Sequence, residues 1–241
     1  MKKVLKTMLM GILVLSLSVS AFAKKKIYVG TNAEFPPFEY LENGKPAGFD
    51  IDLVEEMGKI MDCDIKVVDM AFDGLLPALQ MKKVDVVIAG MTETPERLKT
   101  VSFTSPYYKA SQVIVVREGE NNIKSFDDLK GKKIGVMLGF TGDIVVSKID
   151  NVKIERYNAA YAGIMALKAN KIDAIVLDSE PAKNFVAQNG GLEIADVEGA
   201  QEEYAIAVRK NDQKLMEELN KALEEVKSNG KYDELIDKYF K

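Results

Sequence analysis

"DIKVVDMAFDGLLPALQMKKVDVVIAG", residues 64–90, decides the fold. An apolar, β-branched run, "DIKVVDM", is followed by the helix-like stretch "FDGLLPALQMKK" and then by a second apolar run, "VDVVIAG". Strand, helix and strand in that order predict a βαβ unit whose strands lie in parallel. The pattern extends upstream. "KIYVGTN" reads as a further strand, and "DIDLVEEMGKIM" carries Ile51, Val54, Met57, Ile60 and Met61 at helical spacing. After "QVIVVREG" and a polar connection a second series starts: strand "KKIGVML", helix "TGDIVVSKI", strand "VKIERY", helix "NAAYAGIMALKANK", strand "DAIVLD" and helix "EPAKNFVAQNG". A further strand, "EEYAIAVRK", precedes two amphipathic helices broken at Asn229-Gly230.

The expected fold is therefore α/β, with parallel-rich sheets flanked by helices in two lobes of similar size. No Gly/Ser-rich linker separates them. The extended runs "YYKASQVIVV" and "GAQEEYAIAV" are the natural crossings. They would act as two hinge strands, dividing the chain into lobe 1 (24–110 and 204–241) and lobe 2 (111–203). A double crossing restrains twisting and leaves hinge bending.

Residues 1–23, "MKKVLKTMLMGILVLSLSVSAFA", have the layout of a secretory signal peptide: lysines, a short apolar run and the small-x-small ending Ala21-Phe22-Ala23. The apolar run is short for a membrane span. No Cys follows the cleavage site, so no lipoprotein is expected. Without the three lysines of this leader, 30 of the 33 basic residues stand against 37 acidic ones, a formal charge of −7. That sign argues against general nucleic-acid binding. The chain has no His and no Trp, and Cys63 is its one cysteine. Ser-His-Asp and Cys-His catalysis and histidine-ligated metal sites are thus excluded. No phosphate-binding loop or GxGxxG occurs, and neither metal nor cofactor is expected.

In open parallel sheets ligands bind beyond the carboxyl ends of the strands. There the sequence offers Asn32, Glu34, Phe35 and Phe38 after the first strand, and Gly90, Thr92 and Arg97 after "VDVVIAG". Thr141 opens a helix after "KIGVML", and Asp178 ends "DAIVLD". A cation, hydroxyls, an acid and aromatics are what an α-amino acid needs. Arg97 falls near the third position of a helix expected to be capped by Thr94, with Pro95 in its first turn. Its guanidinium can grip a carboxylate through two parallel bonds. Each residue also has an ordinary reading. Arg97 can be solvated or paired with Glu93 or Glu96, Asp178 and Thr141 can cap helices, and Phe35 and Phe72 can be core.

"GTNAEFPPFEYLENGKPAGFDIDLVEEM", "FDGLLPALQMKKVDVVIAGMTETPERLKTVSFTSPYY", "DAIVLD" and the final "SNGKYDELIDKYF" resemble the periplasmic amino-acid-binding proteins of ABC transporters. The resemblance covers residues 27 to 241. It implies that Arg97 binds the ligand α-carboxylate, helped by Thr92 and the amide of Thr141. Asp178 and the Gly90 carbonyl would take the α-ammonium, and Phe35 and Phe72 would flank the ligand side chain, with Asn32 and Met91 also in the site. It further implies a periplasmic, monomeric binding protein that hands its amino acid to an ABC permease. The "TNA-x-[FY]PPFEY" loop resembles the arginine- and lysine-binding branch, with Glu34 as the charge facing a cationic side chain. Two departures bear on specificity. Asn32 stands where many basic-amino-acid binders carry an acid, which leaves glutamine as an alternative ligand. Phe140 stands where Thr or Ser is frequent. An enzyme resembling cyclohexadienyl dehydratases is the competing reading on the same scaffold, and a sensor or adhesin domain is a third.

Overall fold

A computed structural model describes residues 24–120, 122–197 and 199–241; the expected signal peptide, 1–23, lies outside the described residues. The first series forms β1 (Lys25–Thr31), a small antiparallel sheet of β2 (Glu34–Phe35), β3 (Glu39–Glu42) and β4 (Lys45–Ala47), then α1 (Phe49–Ile60), β5 (Cys63–Asp69), α2 (Phe72–Gln80) and β6 (Val86–Val87). β7 (Val101–Phe103) follows, and the long β8 (Tyr108–Arg117) leaves this lobe. The second series is β9 (Lys133–Met137), α3 (Thr141–Val146), β10 (Lys153–Tyr157), α4 (Ala160–Lys168), β11 (Ala174–Asp178), α5 (Ser179–Asn189) and β12 (Leu192–Ile194). The chain returns through β13 (Gln201–Tyr204) and β14 (Ala207–Arg209) to α6 (Gln213–Ser228) and α7 (Lys231–Phe240).

Residues 64–90 form the expected unit. β1 pairs in parallel with β5 and with β6, Val29 lying opposite both Val67 and Val86. α2 covers this sheet with Phe72, Leu75, Ala78 and Leu79, which recur on one helical face and are buried. The strand order is β5-β1-β6-β14-β7 in one lobe and β10-β9-β11-β8-β12 in the other. In each, three parallel strands are extended by antiparallel ones. The sheets are therefore mixed rather than wholly parallel, because the crossing segments also join them. The second lobe has its own core, which includes Ile114, Val116, Ile134, Val136, Val146 and Val176.

β8 and β13 run side by side between the lobes. Residues Tyr108 to Ser111 pair with β13, and Gln112 to Arg117 pair with β11 and β12. The run "EEYAIAVRK" is accordingly two strands, one beside β8 and one in the first sheet, with Ala205 and Ile206 between them. α6 and α7 separate at Gly230, whose φ of 84° is open to glycine at little cost. They pack on α1 of the first lobe, where Lys238 and Tyr239 both donate to Asp52 at 2.7 Å. This topology brings the carboxyl ends of β1, β5 and β6 to face those of β9 and β11 across a cleft.

Candidate functional site

The segment "TPERLK" makes a single 3-10 turn, Arg97–Lys99, instead of the expected α-helix. The residues that follow, beginning with β-branched Val101, are drawn into β7, which leaves too few for a longer helix. Thr94 still caps the turn, its Oγ1 accepting from the Arg97 amide at 3.2 Å. The turn sends Arg97 inward, where it is only 8% exposed. Nη1 donates to the Thr92 carbonyl at 2.6 Å, and Nη2 reaches across the cleft to the Gly139 carbonyl at 3.0 Å. The guanidinium carbon sits 5.3 Å from the centre of the Phe72 ring. Neither Glu93 nor Glu96 pairs with it; Glu96 pairs with Lys99. Burial pulls the arginine pKa down to about 10, against the opposing charges of Glu202 and Asp178.

Asp178 lies at the other lobe's strand end. It occupies the N-cap position of α5, yet its side chain makes no cap bond. Its Oδ2 instead accepts from the Tyr204 hydroxyl at 2.5 Å. It is 2% exposed, and burial, followed by the neighbouring charge of Glu202, raises its pKa well above the usual carboxylate range. Glu202 also accepts from Thr92 Oγ1 at 2.8 Å and from Gln112 Nε2 at 2.5 Å. Gln112 Nε2 donates further to Thr141 Oγ1 at 3.0 Å. Gly142 packs closely here, since a Cβ would come within 2.8 Å of Gln112 Oε1 and 3.2 Å of the Val176 carbonyl.

The aromatic part is tighter than the sequence suggests. Phe35, Phe72 and Phe140 are all buried, and Phe140 stacks on Phe72 with ring centres 3.7 Å apart and lies 5.1 Å from Phe35. Phe140, from the second lobe, thus fills the space against both first-lobe rings. Asn32 is buried; its Nδ2 donates to the Met70 carbonyl at 3.1 Å, and its Oδ1 has no partner. Glu34 is exposed, on the face of β2 opposite Phe35. Its pKa is raised by partial burial and then by the nearby charge of Asp69. Neither acid has a Lys or Arg within 4 Å among the described residues.

Below the cleft, Gly90 adopts a φ of 50°, and a Cβ there would meet the Phe35 ring at 2.8 Å. Its amide donates to Asp50 Oδ2 at 2.9 Å, and Tyr107 donates to the same oxygen at 2.7 Å. Burial lifts the Asp50 pKa to about 6. Buried Met91 completes the segment, its carbonyl accepting from the Ala205 amide at 2.9 Å.

The structure thus gathers Gly90, Met91, Thr92, Arg97, Thr141 and Asp178 around one cleft, with Phe35 and Phe72 beside them and Glu34 outside this hydrogen-bonded cluster. It adds Gln112, Glu202 and Tyr204, none of which the strand-end argument selects, since all three lie on the crossing strands. The available signal was the polar side chain of Gln112 inside an apolar run. A buried cation on one lobe and a buried acid on the other lie in one cleft without an ion pair between them. No group of three His, Cys, Asp or Glu side chains that could hold a metal occurs among the described residues, nor does any helix long and apolar enough to cross a membrane.

The family model of bacterial extracellular solute-binding proteins, family 3, matches residues 27–241. A probable histidine-binding protein of Campylobacter jejuni is 39% identical over 88% of this chain and 83% of its own length. The ABC transporter arginine-binding protein 1 of Escherichia coli is 35% identical over 98% of this chain and 99% of its own. The solved structure of an ancestral arginine-binding protein bound to arginine superposes with a TM-score of 0.87 at 45% identity, over 90% of this chain and 99% of that one.

Proposed function

Because the chain belongs to the bacterial extracellular solute-binding proteins, family 3, we propose that it captures a basic L-amino acid, arginine or lysine, between its lobes and delivers it to an ABC permease. The observation that carries this reading is the pair of buried, opposite and mutually unpaired charges, Arg97 and Asp178, on facing lobes. A zwitterion satisfies both. Arg97, with the amide at Thr141, takes the α-carboxylate. Asp178 and the Gly90 carbonyl take the α-ammonium, with Thr92 between the two ends. Met91, Phe35 and Phe72 border the side-chain space, from which Phe140 must swing aside. Asn32 is buried nearby, and the adjacent acids Glu34 and Asp69, which have no basic partner, give this edge of the lobe a negative field that favours a cationic side chain.

The division into lobe 1 (24–110 and 204–241) and lobe 2 (111–203) follows from the two crossings, with both boundaries at β8 and β13. Ligand contacts from both lobes favour the closed arrangement. We infer that the protein works as a periplasmic monomer and that it binds rather than transforms its ligand, since an ammonium site has little use in a dehydratase. Isothermal titration with arginine, lysine, histidine and glutamine, and with Glu34→Gln as control, tests the reading. Arginine or lysine should bind most tightly, and Glu34→Gln should weaken it. A clear win for glutamine, whose amide suits the unpartnered Asn32 Oδ1, would overturn the basic-ligand assignment.

A further inference from the structure

We propose that Glu202, on the crossing strand β13, is a positioning residue that sets the hydrogen-bond polarity of Thr92 and Thr141, making one an acceptor for the ligand ammonium and the other a donor for its carboxylate. The inference rests on the amino-acid reading above and deepens it.

A carboxylate only accepts. The Thr92 hydroxyl, 2.8 Å from Glu202, therefore spends its one hydrogen on Glu202. Toward the cleft it has only lone pairs left, which suit an ammonium and not a carboxylate. Gln112, 2.5 Å from the other oxygen of Glu202, must turn its NH₂ that way, so its amide cannot flip. Its second N–H then points at Thr141 Oγ1, 3.0 Å away. Thr141 accepts there and keeps its own hydrogen for a carboxylate. One acid on a crossing strand thus gives two identical side chains opposite roles, one on each lobe, at the two ends of a zwitterion. It also revises the part expected of Thr92, whose hydroxyl serves the ammonium rather than assisting Arg97.

The charged and titratable groups around Glu202 are Asp178 on β11, Arg97 from the turn before β7, and Tyr204 on its own strand. Lys109 on β8 pairs with Glu203 instead, at 4.0 Å. Glu202 and Thr92 both line a groove open to solvent beside the crossing strands.

The test is titration calorimetry with L-arginine and with 5-guanidinopentanoate, which lacks the α-ammonium. Glu202→Gln cannot accept from both Thr92 and Gln112. It should weaken arginine about tenfold and the deaminated analogue less than about threefold. In a Thr92→Val background Glu202→Gln should add almost nothing. Equal losses for both ligands would reduce Glu202 to a structural role. Additive losses in the double variant would leave a plain charge effect and overturn the polarity assignment. If Glu202→Gln does not fold, Thr92→Val against Thr92→Ser decides. Only the valine should lose the preference for the ammonium-bearing ligand, and an equal preference in both would refute the proposal. Failure of the wild-type protein to bind any L-amino acid would remove the underlying reading, an outcome distinct from all of these.

Discussion

Replacing Arg97 by Met should abolish amino-acid binding while leaving the ligand-free fold nearly as stable as before. Arg97 is buried, and its pKa falls from 12.5 to about 10. At about 1.4 kcal/mol per unit, holding the charge in the cleft costs roughly 3.5 kcal/mol. Its bonds to the Thr92 and Gly139 carbonyls return about 1.5–3 kcal/mol each. The bonds exceed the cost by at most about 2.5 kcal/mol, and methionine recovers part of that difference by filling much of the same volume against Phe72 without a charge to desolvate. The net change in unfolding free energy should stay within about 1.5 kcal/mol, a shift in Tm of no more than roughly 6 °C for a chain of this size. With ligand present the balance changes, because the carboxylate gives the guanidinium a charged, bidentate partner. Losing two such bonds removes about 3–6 kcal/mol, a factor of roughly 10² to 10⁴ in affinity. Thermal melts of the ligand-free proteins by circular dichroism, with calorimetric titration of arginine, measure both quantities. A fall in Tm well beyond 6 °C would make Arg97 a latch of the fold, and an unchanged affinity would take it out of the site.

Affinity should rise with pH as long as the medium is more acidic than the raised Asp178 pKa, because the ammonium displaces the proton that burial favours on Asp178. Titrations from about pH 5 to 8 should give a slope of up to one decade per pH unit, which Asp178→Asn abolishes along with most of the affinity; a flat wild-type profile would contradict the raised Asp178 pKa. Asp50, held near 6 in the fold against an ordinary 3.8, makes a contribution to stability that is complete below about pH 3.8 and lost as the pH rises through 6. Urea melts should find wild type losing about 3 kcal/mol relative to Asp50→Asn between these limits, whereas a pH-independent gap would refute the shift. Gly90→Ala combines a φ of 50° with a 2.8 Å approach to the Phe35 ring. Fluorescence-detected titration should record at least about tenfold weaker binding, and wild-type affinity would show that the ring moves freely.

The alternation of apolar runs and helical stretches was enough to set out both α/β series, since period and order follow from local side chains alone. It also marked the two crossings and the break at Asn229-Gly230. Arg97, Thr141 and Asp178 could be chosen because ligand sites lie at strand ends. The sequence could not decide between their ordinary and functional roles. Where these side chains turn is a tertiary matter: Arg97 points away from Glu93 and Glu96, and Asp178 bonds Tyr204, 26 residues distant, in place of its own helix. The length of the Arg97 helix was misread because the pull of β7 is a tertiary effect. Glu202, Gln112 and Tyr204 were illegible for a similar reason. On extended strands a polar residue reads as surface until the partner strand and the facing lobe are known. The network that joins Thr92 to Glu202, 110 positions along, exists only where the two lobes meet. Local sequence specifies which groups can donate and accept, but a hydrogen bond needs its partner within about 3 Å, and only the folded chain supplies that proximity.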